Sequence, residues 1–184
     1  MGMKLLAFLL ATALLVWISR ASLARPRSHG FWRLFVWEAI AALVLLNVEN
    51  WFVEPLAWNQ ILAWILLCAC CVPAVWGAVV LRRHGKPARE RPSDPSLLAF
   101  EKTTQLVQSG PYRYIRHPLY SSLLLLTWGV FFKRPSWIGL ALGAASTAFL
   151  FLTAFADEAE CQRFFGPEYD AFRSRTTRFI PFIL

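Results

Sequence analysis

Ser109-Gly110-Pro111-Tyr112-Arg113-Tyr114-Ile115-Arg116-His117-Pro118-Leu119-Tyr120 stands directly before a long apolar run. Two turn formers open the stretch, and three tyrosines, two arginines and a histidine precede or flank Pro118. Proline suits the first position of a helix, where its missing N–H would have no partner and its φ is already near the helical value. The stretch therefore predicts a polar turn feeding a membrane-spanning helix that starts at Pro118. Free N–H groups at that helix end would face the surroundings of Arg116, His117 and Tyr120, and such an end favours an anionic group such as a carboxylate.

Working outward, 57% of the 184 residues are hydrophobic and 16% charged, outside the range of a soluble globular domain. Apolar stretches near bilayer-spanning length occur at about five places: 3–18, 35–53, 61–81, 119–132 and 137–156. The first and fourth are short. Basic residues sort with them. Segment 19–34, segment 82–118 and the tail after Ala156 hold sixteen of the nineteen lysines and arginines. With the N-terminus outside, all three segments fall on one side, which the positive-inside rule makes cytoplasmic. Lys4 and the Lys133-Arg134 turn are left on the other side. The net charge of +8 is then explained by orientation and anionic lipid, and no basic soluble face remains for nucleic acid. The competing reading of the first segment is a signal peptide cut after Ser22-Leu23-Ala24, which would leave Arg25, Arg27 and Arg33 outside, against the charge rule. Cys68, Cys70, Cys71 and Cys161 show neither paired spacing nor a histidine cluster, so they read as packing residues and no metal is expected.

The expected architecture is all-α and polytopic: one membrane-embedded domain over residues 1–184, with about five transmembrane helices and a short cytoplasmic C-terminal helix. Residues 1–81 read as scaffold. Glu38 is expected within a turn of Arg33, close to the interface, and Asn47, Glu49 and Asn50 cluster toward the opposite end. Residues 82–117 form a cytoplasmic loop whose prolines argue against a continuous helix. Lys133-Arg134-Pro135 is a turn too short for a domain, so residues 118–184 read as a helical hairpin and tail. That hairpin brings His117 and Tyr120 opposite Asp157 and Glu158. Gly166-Pro167 fits a helix stop and restart, with Tyr169 and Phe172 on the apolar side of the helix that follows.

These residues carry a resemblance. Leu106-Val107, Gly110-Pro111-Tyr112-Arg113-Tyr114, Arg116-His117-Pro118 and Tyr120 resemble the motif of the isoprenylcysteine carboxyl methyltransferase and phospholipid methyltransferase family of integral membrane enzymes. Asp157-Glu158, Phe165-Gly166-Pro167-Glu168-Tyr169 and Arg178-Phe179-Ile180-Pro181 resemble its second block. Residues 106–184 are covered well, and residues 1–105 only in hydropathy. The chain departs from the pattern at three points: Asp157-Glu158 stands where two glutamates are usual, Thr153 to Ala156 supplies no basic residue before the pair, and the loop before Leu106 lacks the usual Gly-Thr-Pro-like signature.

The resemblance implies an S-adenosylmethionine-dependent methyltransferase acting at the cytoplasmic membrane face on a lipophilic small-molecule or lipid acceptor. It implies cofactor binding by His117, Tyr120, Glu158, Tyr112, Tyr169 and Arg178, with Arg116 and Glu158 in catalytic roles. Physically, Glu158 would engage the cofactor's ammonium or ribose hydroxyls, the helix end at His117 and Pro118 its carboxylate, and Arg116 would orient the acceptor. Methyl transfer is an in-line displacement, so alignment and exclusion of water are the main demands. A carboxylate acceptor needs no base, whereas a phenol, thiol or ammonium must lose a proton. No glycine-loop nucleotide motif, nucleophile elbow or metal-ligand spacing occurs. Two other classes compete. One is an NADPH-dependent membrane reductase related to sterol reductases, which are considerably longer. The other is a non-enzymatic membrane protein whose arginines and tyrosines are interfacial anchors.

Overall fold

The computed structural model describes residues 2–86 and 103–183, and within them the chain is helical. Its elements are α1 (Gly2–Leu23), α2 (His29–Asn47), α3 (Trp58–His84), α4 (Pro118–Phe132), α5 (Trp137–Phe165) and α6 (Pro167–Ser174). Short 3-10 turns at Val48–Asn50 and Gly110–Arg113 extend α2 and precede α4. Residues 87–102 of the charged loop expected over 82–117 lie outside the described residues.

Four helices, α1, α2 with its 3-10 extension, α3 and α5, are long and apolar enough to cross a membrane. α4 has only 15 residues. At 1.5 Å per residue that is about 22 Å, short of a hydrocarbon core of about 30 Å. The expected five spans thus become four full-length candidates and one short apolar helix. The first segment, expected to be short, instead runs through 22 residues.

Capping explains several boundaries. Ser28 Oγ accepts the Phe31 N–H at 3.2 Å and starts α2; Ser136 Oγ accepts the Gly139 N–H at 3.1 Å and starts α5. α4 begins on Pro118 as the sequence predicts, with His117 at its N-cap. Gly166, with φ 57° and ψ −132°, ends α5 in a conformation open to glycine, and Pro167 begins α6 at once.

α2, α4 and α5 share the main apolar core, built from Val36, Ile40, Leu123, Leu150 and Ala154 with Tyr120 and Phe179. α3 packs along α4, and α1 packs on α2 at the periphery. Close approach of α3 and α4 rests on small residues, as is common between membrane helices. A Cβ on Gly129 would lie 2.9 Å from Leu67 Cγ, and one on Gly77 would lie 3.2 Å from Pro118 Cγ. Within the α4–α5 pair Thr127 and Ser146 hydroxyls meet at 3.0 Å.

Glu38 differs from expectation. It sits at the middle of α2 and accepts the Thr12 hydroxyl of α1 at 2.8 Å, a helix-to-helix contact that the sequence did not suggest. The Asn47 cluster is structural: Asn47 donates to Val130 O at 2.8 Å, and Glu49 pairs with Lys4 at 2.9 Å. The same end of the bundle buries Lys133, which is 1% exposed. Its ammonium donates to Gln60 Oε1 at 3.0 Å and Trp51 O at 3.2 Å, and stands 3.5 Å from the centre of the Trp64 ring.

Candidate active site

The opposite end of the bundle holds the larger group of charged residues. The sequence order places it there: the α1–α2 loop, the end of α3, the start of α4 and the end of α5 are brought to one side by antiparallel packing. α5 does not stop at the acidic pair, as the apolar stretch suggested. It continues for about two turns past Glu158 to Phe165. Since α4 is short and joined to α5 by a tight turn, its first residues meet α5 at Asp157 and Glu158. The meeting point is therefore recessed below the end of α5.

The tail closes the site from the side. Residues 114–117 and 177–178 pair like strands: Arg116 N–H donates to Thr177 O at 2.8 Å, His117 N–H to Arg178 O at 3.1 Å, and Thr177 N–H to Tyr114 O at 3.2 Å. Ile115 and Thr177 form a parallel bridge. Ser121 Oγ adds a bond to Phe179 O at 2.7 Å. The two motif blocks are thus tied by backbone as well as by side chains.

Glu158, 5% exposed, is the hub. Its Oε1 accepts from Arg116 Nε at 2.9 Å and Arg178 Nε at 3.0 Å, with His117 Nε2 at 3.4 Å; its Oε2 lies 3.3 Å from Arg178 Nη2. Burying one carboxylate is costly, and these cations offset that cost. Arg116 is fixed further by the carbonyls of Arg173 and Thr176, and Arg178 lies over the Phe155 ring. His117 stacks on Tyr120 with ring centroids 5.1 Å apart. Its Nδ1 faces Asp157 Oδ2 at 3.5 Å, so both ring nitrogens point at carboxylates. Burial pushes the imidazole toward the neutral form, but the hydrogen bonds to Asp157 and Glu158 prevail and raise its pKa. Tyr120 donates its hydroxyl to Asp157 Oδ2 at 3.1 Å.

Beside this network opens a cavity of about 1,320 Å³. Its walls include Arg116, His117, Tyr120 and Asp157, the α1–α2 loop from Arg25 to Ser28 with His29 at the start of α2, and an apolar side at Leu106, Phe164, Phe165 and Phe172. Tyr112 and Tyr169 line it too, buried with Val80, Val107 and Phe172. Burial raises the phenol of Tyr169, which keeps it protonated. The volume exceeds the usual range for one small ligand, leaving space for a cofactor and the head of a second molecule.

Residues 96–168 match the family model described as phospholipid methyltransferase. The matched stretch contains the 109–120 motif, α4, α5 and the Asp157-Glu158 pair, so the resemblance carried by the sequence holds. Over those residues the chain is similar to that family. Neither a curated protein nor a solved structure matches the chain.

Around the 109–120 motif the structure gathers all seven residues singled out in the sequence, in two groups. Arg116, His117, Tyr120, Glu158 and Arg178 form the polar network, and Tyr112 and Tyr169 form the facing wall. Glu158 and Arg178 stand behind the cavity surface; the other five line it. Sequence reasoning missed Asp157 as a wall residue, and it missed the α1–α2 loop entirely. His29, 1% exposed, holds Glu160 with Nδ1 to Oε2 at 2.6 Å, and its backbone N–H donates to Glu160 Oε1 at 3.0 Å. The only local signal was a histidine after a capping serine in an arginine-rich loop; its partner lies 131 positions away.

Proposed function

We propose that the protein is an S-adenosylmethionine-dependent methyltransferase acting on a lipophilic acceptor at the cytoplasmic face of the membrane. The observation that carries the reading is the cavity itself, walled by the motif that matches the methyltransferase family. Its donor set fits the cofactor. A carboxylate at Asp157 complements an ammonium, the arginines and the start of α4 complement a carboxylate, and the Tyr112–Tyr169 wall suits an aromatic base. The bound cofactor supplies an electrophilic methyl group on its sulfonium.

The protein's own residues divide the remaining work. Asp157, on the cavity wall, takes the cofactor's ammonium, a role that the sequence alone gave to Glu158. Glu158 acts one layer back, holding Arg116 and His117 in place through its bonds to both. Arg116 orients the acceptor, and Arg178 with the tail locks Glu158. Tyr120 fixes Asp157 through its hydroxyl. The apolar wall at Leu106, Phe164 and Phe165 admits the acceptor's hydrocarbon and excludes water. The basic segments support a cytoplasmic orientation for this end.

Calorimetric titration of detergent-purified protein with S-adenosylhomocysteine and with NADPH tests the reading. S-adenosylhomocysteine should bind and NADPH should not. Asp157→Asn should weaken binding by about tenfold, as expected for loss of one charge-assisted hydrogen bond. Binding of NADPH alone would replace the methyltransferase with a reductase, and binding of neither would remove the enzyme.

A further inference from the structure

Residues 180–183 form an apolar tip on the strap that carries Arg178 to Glu158. Ile180, Phe182 and Ile183 are all exposed, Phe182 at 87% and Ile183 at 79%. The Ile183 N–H donates to Ile180 O at 3.3 Å, and Thr177 Oγ1 donates to the same oxygen at 2.8 Å, which closes a turn. Phe182 takes φ 66°, a left-handed conformation that a bulky residue rarely adopts. The turn thus holds two large apolar side chains outward at a cost in backbone strain. The exposed Tyr114 ring lies 6.2 Å from that of Phe182, and the Arg113 guanidinium lies 6.0 Å from the Tyr114 ring.

The packing of the strap on α5 sets where this tip stands. Arg178 lies 4.3 Å over the ring of Phe155, and Phe179 meets Phe151 edge to face at 5.0 Å. Phe155 and Leu152, one turn apart, are exposed on a helix long and apolar enough to cross a membrane. The strap therefore runs beside a lipid-facing side of α5, where that helix leaves its apolar stretch. Aromatic rings with a basic rim suit this depth. Arg113 and Arg175 are exposed in these segments, Arg175 donating to Gln108 Oε1. The acids of the adjoining α6, Glu168 and Asp170, accept from Gln108 and Gln162.

We propose that the tail tip docks on an anionic lipid surface beside α5 and that this docking holds the Arg178–Glu158 clamp closed. Phe182 and Ile183 enter the boundary between headgroups and acyl chains, and Arg113 and Arg175 meet lipid phosphates. Phe179, 2% exposed with its carbonyl bonded to Ser121 Oγ, anchors the strap from inside the core. The tip supplies a second anchor from outside. Between the two stands Arg178, so release of the tip loosens the strap that carries its guanidinium to Glu158. The docking is independent of what the cavity binds.

Hydrogen–deuterium exchange of the full-length protein tests this in nanodiscs of phosphatidylcholine, with and without phosphatidylglycerol. The amides of Arg116, His117 and Thr177, which tie the strap to the start of α4, report the clamp. Amides around Gln60 and Lys133, at the other end of the bundle, serve as the reference. In the anionic discs the strap amides should exchange about tenfold more slowly, the scale expected of two arginines at a charged surface. High salt should remove that difference. Phe182→Ser/Ile183→Ser and Arg113→Gln/Arg175→Gln should each shrink it to less than about threefold. The proposal falls if the wild-type strap exchanges alike in both lipids, if salt leaves the difference intact, or if the reference amides slow equally. Either double variant keeping the full difference would also overturn it. A strap protected equally in neutral lipid and at high salt would point to cover by a second copy of the chain and would replace the lipid surface as the partner.

Discussion

Lys133 and Glu158 are both almost fully buried, at opposite ends of the same helix pair, and their charges are met in opposite ways. Around Lys133 the partners are neutral: an amide oxygen, a backbone carbonyl and the Trp64 ring. They satisfy one ammonium and link α2, α3 and the α4–α5 turn. Around Glu158 the partners are themselves charged, and they open onto a cavity. Neutral closure makes a joint between helices. Compensated charge beside a cavity makes a set of groups whose positions depend on one another, which suits binding of a ligand that carries both signs.

Breaking the charged hub should have the largest effect. Glu158→Gln leaves Arg116, Arg178 and His117 facing an amide, and loss of one partner of a buried pair costs about 3–5 kcal/mol. Thermal unfolding in detergent should drop and S-adenosylhomocysteine binding should be lost with it; a variant that keeps both would mean that the cations do not depend on Glu158. Lys133→Met should come next. It removes the cation over Trp64 and leaves Gln60 Oε1 and Trp51 O without their donor, at about 1–3 kcal/mol. The melting temperature should fall while cofactor affinity stays constant, and a parallel loss of affinity would erase the contrast between the two ends. Gly129→Ala probes the joint between them. Its Cβ would stand 2.9 Å from Leu67 Cγ and 3.2 Å from Leu67 N, and overpacking of this kind costs about 1–3 kcal/mol. Unfolding of this variant by titrated denaturing detergent checks the sign.

What the sequence could and could not disclose follows the same division. The start of α4 at Pro118, the stop at Gly166 and the burial of Tyr169 and Phe172 depend on local chemistry, and they were legible. So was the meeting of His117 with Glu158, because a two-helix hairpin with a short turn leaves little choice. The burial of Glu158 behind the cavity surface was not legible, because its partners include Arg178, twenty positions on, brought back by strand-like pairing of the tail that no periodicity signals. His29 was invisible for a stronger reason: α2 meets α5 only through the packing of the whole bundle. The bond between Glu38 and Thr12 was not legible either, because it depends on how α1 packs against the middle of α2.

The smallest expected effect is a pH dependence centred on His117. Both of its nitrogens face carboxylates, and both contacts are served only by the imidazolium. Burial alone would lower its pKa, and the hydrogen bonds to Asp157 and Glu158 raise it above the ordinary 6.5. A pKa higher in the folded than in the unfolded chain means that the folded state binds the proton more tightly. The stabilisation is therefore fully present below 6.5 and is lost as pH rises through the folded value. Melting temperature measured from pH 6 upward should decline over that window in the wild type, and His117→Gln, which keeps a donor but no charge, should flatten the decline. Lys133→Met should leave its slope unchanged. A decline of equal slope in His117→Gln would assign the titration elsewhere, and a wild-type curve that rises with pH would show that the two carboxylates do not hold a proton on this ring.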